Sequence, residues 1–179
     1  MKTIVTIFVV TGFLTVQSGY TGLWYRDDRK SDDPAPRIEL TMQGFVEKNS
    51  RGRSTLEDVD PKVVRRLRGV LEGFVQYSEE LVVERTRREL VVDDGSERLI
   101  IYYLDSRKHE RQLPDGTRLE TTATATGNQI DVEMKTSDGA KIFETYTLAS
   151  DDELVLSVRL EDKQLKEPLV IRNVYTRAD

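Results

Sequence analysis

The chain has 179 residues, of which 37% are hydrophobic and 33% charged, and its net charge is −5. This length suits one domain with one sizeable core, and the composition is that of a folded chain with a charged surface. The negative charge disfavours nucleic acid and anionic lipid surfaces as partners. Cysteine is absent and His109 is the single histidine. We therefore expect no disulfide, no thiol catalysis, no metal site and no cofactor.

The N-terminus carries the one sustained apolar run of the sequence. Lys2 precedes the run TIVTIFVVTGFLTV at Thr3–Val16, which is shorter than the roughly 20 apolar residues that span a bilayer. A small residue, Ser18, stands just before Gly19. The pattern predicts a signal peptide over residues 1–18 and a periplasmic or secreted protein. A buried first strand is the alternative.

The next segment is polar and rich in turn residues. Because proline disfavours helical geometry in its predecessor, the stretch around Pro34 and Pro36 is not expected to be regular helix. Arg37–Lys48 is ambiguous. Ile38 and Met42 fit the alternation of a strand, together with Leu40 between them, but a helix would also accept them.

Residues 60–77 predict an amphipathic helix. Asp60 is a good N-cap and Pro61 suits the first helical position. The apolar residues recur at three- and four-residue steps and form one stripe: Val63, Leu67, Val70, Leu71 and Phe74. We interpret this segment as a helix packed on a core, with a membrane-surface helix as the alternative.

From Glu80 onward apolar and polar residues alternate, which predicts strands, and Asp-Gly or Gly-Asn pairs mark hairpins between them. Eight strands are predicted: Leu81–Thr86, Glu89–Asp93, Arg98–Leu104, Thr117–Thr126, Gln129–Thr136, Ala140–Leu148, Glu153–Leu160 and Leu169–Arg177. Closing such a meander removes its edges. The sequence thus predicts a mainly β fold over residues 19–179, an eight-stranded antiparallel up-and-down barrel with one inserted amphipathic helix.

Several short motifs, in their order along the chain, resemble the lipocalin-like, calycin-type barrel proteins of bacterial envelopes. Gly22-Leu23-Trp24 follows the predicted signal, Lys30–Pro34 comes next, and Val174–Arg177 lies near the end of the sequence. In lipocalins the Trp of a Gly-x-Trp motif plugs the closed end of the barrel, and a late Arg packs over it. The resemblance implies that Trp24 is a structural plug and that Arg177 covers it.

Alternation along the strands also predicts which side chains line a ligand cavity. The candidates are Tyr102, Met134, Glu144, Tyr146, Leu156 and Asn173, below a helix face formed by Leu67, Leu71 and Phe74. A buried carboxylate needs a partner. Glu144 would therefore pair with Arg85 or Arg177, or would lie solvated near the mouth of the barrel.

No nucleophile–base pair or metal cluster can be assembled from the sequence, so we predict no enzymatic activity. His109 stands in the charged run RKHER and is expected to be solvated. Two functions stay open. A hollow barrel would bind or carry a small apolar or amphipathic molecule. A filled barrel would be an envelope interaction or scaffold protein with an unidentified protein partner. Neither includes nucleic acid, or stable membrane insertion after the signal is removed.

Overall fold

The computed structural model describes residues 19–49, 60–75, 78–95, 99–112, 118–137 and 139–178. The predicted signal peptide lies outside these residues. The helices are α1 (Pro34–Asn49) and α2 (Pro61–Val75). The strands are β1 (Gly22–Arg26), β2 (Glu80–Arg85), β3 (Glu89–Asp93), β4 (Leu99–Tyr103), β5 (His109–Gln112), β6 (Arg118–Thr126), β7 (Gln129–Thr136), β8 (Lys141–Ser150), β9 (Glu153–Glu161) and β10 (Leu169–Arg177).

All the strands described belong to one antiparallel sheet in the order β4-β3-β2-β1-β10-β9-β8-β7-β6-β5. β1 joins the early and late strands, because Trp24 lies opposite Arg177 of β10 and opposite Leu81 of β2. β4 and β5 are the two ends of the sheet. Beside this gap, the backbone N–H of Ser106 donates to the carbonyl of Ala123 at 3.1 Å. The sheet thus forms a nearly closed barrel.

The eight predicted strands are present, but the predicted number is wrong because the described residues contain ten. β1 escaped prediction because Leu23, Trp24 and Tyr25 follow one another without alternation, in a segment dominated by turn residues. Pairing on both of its sides makes it a strand. β5 is entirely polar and pairs only with β6, so no hydrophobic period could reveal it.

Two helices, not one, follow β1, and α1 settles the ambiguous segment. Its first turn contains Pro34 and Pro36, so the prediction that these prolines exclude helix is wrong. Proline is tolerated in the first turn because N–H groups there have no intrahelical acceptor. Leu40 is 62% exposed, whereas Ile38 and Met42 are buried. A strand would have placed all three side chains on one face.

α2 forms within the predicted segment and packs on the core. Asp60 precedes it and accepts a hydrogen bond from the backbone N–H of Lys62 at 2.9 Å. Leu67 and Leu71 are buried, as the apolar stripe indicates. The side chain of Phe74 lies outside the described part of the helix.

Candidate ligand site

The predicted cavity residues lie on the inner face of the barrel. The strand register aligns Asn173 with Leu156 and Leu156 with Tyr146, across β10, β9 and β8. Glu144 and Met134 occupy inward positions of β8 and β7. All six candidates are buried. Most of their buried neighbours are apolar: Leu81, Val83, Leu90, Ile130, Val132, Ile142, Val158 and Ile171.

A hydrogen-bonded acid lies within this apolar interior. The hydroxyls of Tyr102 and Tyr146 both donate to Oε2 of Glu144 at 2.8 Å, and the centres of the two rings are 6.3 Å apart. Glu144 is 7% exposed. Burial raises the pKa of Tyr102 well above its usual value, and the negative charge of Glu144 adds to the effect. Both hydroxyls thus act as neutral donors to the acid.

The position of Glu144 corrects one sequence-based expectation. The carboxylate does not lie solvated at a barrel mouth, because it is buried between the two tyrosines. Neither of the arginines expected as its partner forms an ion pair with it. The guanidinium of Arg177 is bonded to carbonyls elsewhere, and that of Arg85 lies over the ring of Tyr20.

Asn173 adds a second buried polar group. Its Oδ1 accepts a hydrogen bond from Nε of Arg26 at 3.2 Å, which fixes the orientation of the amide. Its Nδ2 is buried and has no hydrogen-bond partner in the structure. Asn173 itself is 2% exposed. An amide donor in this position is available to an oxygen atom of a bound molecule.

A small cavity of about 110 Å³ lies at the gap between β4 and β5. It reaches Tyr102 and Ala123, which are buried, and Arg111 also lines it. His109 lines this cavity as well. Its side chain is 37% exposed, and its Nε2 lies 3.0 Å from Oδ1 of Asp105, so this partly solvated histidine also has a specific partner. The gap is a candidate side entrance to the interior.

The end of the barrel next to β1 is closed by a buried tryptophan and by the arginine that lies over it. Trp24 is fully buried, and its indole N–H donates to the carbonyl of Tyr20 at 2.9 Å. The guanidinium of Arg177 lies 4.3 Å from the centre of the Trp24 ring. It donates to the carbonyls of Gly19, Thr21 and Asp151. The structure therefore brings together the two residues that the family resemblance implies as plug and cover.

Sequence reasoning did not find a second cation–aromatic pair at this end. The guanidinium of Arg85 lies 4.9 Å from the centre of the Tyr20 ring, and Tyr20 donates to the backbone carbonyls of Asn128 and Tyr146. The alternation in β2 places Leu81, Val83 and Arg85 on the inner face, and this signal could have identified Arg85. For Tyr20, a lone aromatic residue before β1, the sequence carries no such signal.

The described residues contain no cluster of three or more His, Asp or Glu side chains that could hold a metal ion. Within the same ranges, neither helix is both long enough and apolar enough to cross a membrane.

No family model and no curated protein matches the chain. Solved structures match it in shape. A SAHS (abundant heat soluble) protein from Ramazzottius varieornatus gives a TM-score of 0.51 at 13% identity, covering 89% of this chain and 96% of that one. Lipid binding protein 8 of Caenorhabditis elegans gives a TM-score of 0.50 at 9% identity, covering 88% of this chain and 94% of that one. A mutant of the REP1-NXSQ fatty acid transporter gives a TM-score of 0.50 at 11% identity, covering 88% of this chain and 97% of that one. The chain therefore has a calycin-like fold.

Proposed function

We propose that this protein is an exported, non-enzymatic barrel that binds one small apolar or amphipathic molecule in its interior. The observation that carries the proposal is the Tyr102–Glu144–Tyr146 cluster inside an otherwise apolar barrel. A few convergent polar groups in an apolar cavity are the usual composition of a small-molecule site.

The energetics of burial favour a binding site over a filled core at this position. Burying a carboxylate costs free energy even when it is hydrogen-bonded, and well-packed apolar residues in its place are often neutral or stabilising. A barrel that only needed packing would gain nothing from Glu144. The unpartnered Nδ2 of Asn173 has the same implication, because a donor without an acceptor is a cost that a ligand can remove.

The comparisons add support of a different kind. Two of the matching structures are those of a lipid binding protein and of a mutant fatty acid transporter. Long-chain lipids are therefore the first ligand class to test. The bacterial-envelope setting rests on the resemblance of short motifs and stays a prediction, as does export.

Native mass spectrometry of the protein, purified from its producing cells without detergent, tests ligand binding. We expect an adduct of lipid mass that is displaced by added palmitic acid. Displacement of a neutral solvatochromic dye from the interior is the solution counterpart. If no adduct is seen and no apolar dye binds, the carrier proposal is wrong and the filled-barrel alternative takes its place.

Export needs a separate experiment, because ligand binding does not depend on it. The protein is expressed with its full N-terminus, and the cells are fractionated. We expect the mature protein outside the cytoplasm, with an N-terminus near Gly19. An intact N-terminus on cytoplasmic protein would overturn the export proposal alone.

A further inference from the structure

Arg85 is an inward-facing cation at the closed end of the barrel. It is the last residue of β2, whose alternate side chains are buried, and it is 7% exposed. Across the inner face it lies opposite Leu90, which in turn lies opposite Tyr102. β2 begins soon after α2. At about 3.3 Å per residue, Arg85 lies roughly 17 Å along the strand from the first residue of β2.

The surroundings of Arg85 differ from those of Arg177, although both guanidinium groups stack on an aromatic ring. Arg177 donates to three backbone carbonyls. Nε of Arg85 is buried with no hydrogen-bond partner, and no carboxylate of the described residues lies within ion-pair distance of its side chain. Its guanidinium stacks on the ring of Tyr20, 4.9 Å from the ring centre. The protein thus supplies acceptors for the guanidinium of Arg177, whereas it supplies none for Nε of Arg85.

A buried charge without a counter-charge is costly, and such groups are usually paired or hydrogen-bonded. Guanidinium groups bind carboxylates through charge-assisted hydrogen bonds, which are stronger than neutral ones. We propose that Arg85 is the specificity-determining residue of the barrel and anchors the anionic head group of a single-chain amphiphile. The inference rests on the function proposed above and names the class of ligand.

The second interior charge indicates how such a molecule would lie. Glu144 is satisfied by two tyrosine hydroxyls, and its negative charge repels an anion placed beside them. The head group therefore lies next to Arg85 and Tyr20. The alkyl tail passes the apolar inner face towards Leu67 and Leu71 of α2, which are buried.

Competition against a neutral solvatochromic dye tests this assignment with three probes of equal chain length: palmitic acid, hexadecanol and hexadecylamine. For the wild type we expect palmitate to bind about 10- to 100-fold more tightly than hexadecanol, and the amine to bind most weakly. Arg85→Gln should abolish the preference for the acid while changing the affinity for hexadecanol by no more than about twofold. Arg85→Lys should retain part of the preference, and Arg88→Gln, an exposed neighbour, all of it.

The outcomes separate the two proposals. Equal binding of the acid and the alcohol by the wild type would overturn the role of Arg85 and leave the carrier function standing. This comparison needs no variant, so it holds even where Arg85→Gln does not fold. An unchanged preference in a folded Arg85→Gln protein would also overturn it. Displacement by none of the three probes would overturn both proposals.

Discussion

Arg177 covers Trp24 at the closed end of the barrel, with its guanidinium 4.3 Å from the centre of the indole ring. The two residues lie directly opposite each other across the β1–β10 pair. The same guanidinium donates to the carbonyls of Gly19 and Thr21, which precede β1, and to that of Asp151 in the β8–β9 turn. This side chain of β10 therefore ties the segment before β1 to the β8–β9 turn.

Replacing Arg177 with alanine should lower the free energy of unfolding by roughly 1–3 kcal/mol, because three hydrogen bonds to carbonyls and one stacking contact are lost. Urea denaturation measures the effect. Arg159→Ala is a matched control. Its guanidinium also stacks at 4.3 Å, on Phe143, but it is half-exposed, and we expect a change within about 0.5 kcal/mol. Equal losses in the two variants would contradict the importance of the hydrogen bonds from Arg177 to the backbone carbonyls.

Gly22 leaves room for the guanidinium of Arg177. A Cβ atom at this position would lie 2.6 Å from Nη1 of Arg177, so Gly22→Ala should push the arginine away from Trp24. We expect the loss caused by Gly22→Ala to become smaller when Arg177→Ala is also present, because the clash is then removed, but not to vanish, because the φ of +158° at this position strains an alanine in any surroundings. A double-mutant cycle by urea denaturation measures this coupling. Additive losses would show that the side chain at position 22 acts by another route.

Gly69 provides the control for this glycine. It lies in α2, and a Cβ there would meet no atom within 4 Å. Gly69→Ala should stabilise the protein by roughly 0.5–1 kcal/mol, because alanine restricts the unfolded chain and favours helix. The opposite signs at positions 22 and 69 would separate close packing from general glycine effects.

Removing one hydroxyl from the interior acid cluster should be costly. Tyr102→Phe deletes a 2.8 Å hydrogen bond to buried Glu144, and hydrogen bonds to charged groups contribute about 1.5–3 kcal/mol. We expect a loss of that size in the free energy of unfolding. Tyr103→Phe, on the exposed side of the same strand, should change it by less than about 0.5 kcal/mol. An unchanged free energy of unfolding in Tyr102→Phe would show that Glu144 gains nothing from this hydroxyl.

The buried tyrosines predict loss of stability at alkaline pH. Burial raises the pKa of Tyr20, Tyr102 and Tyr175 above the value of 10.0 for a free tyrosine. Between the unfolded and folded pKa the native state holds more protons than the unfolded state, so stability falls as pH rises. It is fully present below about pH 10. Denaturation monitored by phenolate absorbance should show these groups ionising with unfolding. Ionisation in a fully folded barrel would contradict the prediction.

Local pattern revealed most of the barrel because most strands are half-buried. Along β10, for example, Leu169, Ile171 and Asn173 are buried while Val170 and Arg172 are exposed, and this period is readable from sequence. β1 and β5, which were not predicted, lack this alternation. β1 has consecutive large side chains and β5 has none that are apolar, so both depend on pairing with distant residues.

The residues of the candidate site also fall into those that the sequence predicts and those that it does not. Inward positions such as Tyr146 and Leu156 follow from alternation, and the family resemblance led to Trp24 and Arg177. The donors that satisfy Glu144 could not be predicted, because Tyr102 is brought to it by barrel closure across 42 residues of chain. The sequence suggested Arg85 only as a possible partner of Glu144. Its inward direction was visible in β2, but the absence of a partner is a three-dimensional fact.

Filling the interior should block binding without destroying the fold. Leu156 lies between Asn173 and Tyr146 on the inner face, and Leu156→Trp would occupy space near both. We expect at least a roughly tenfold loss of affinity for palmitate, about 1.4 kcal/mol, with an overpacking cost of about 1–3 kcal/mol in stability. Met134→Trp should act likewise. Ser157→Trp, the adjacent residue on the outer face, should leave affinity within about twofold. Unchanged affinity for palmitate in a folded Leu156→Trp protein would show that the ligand does not bind in this part of the barrel.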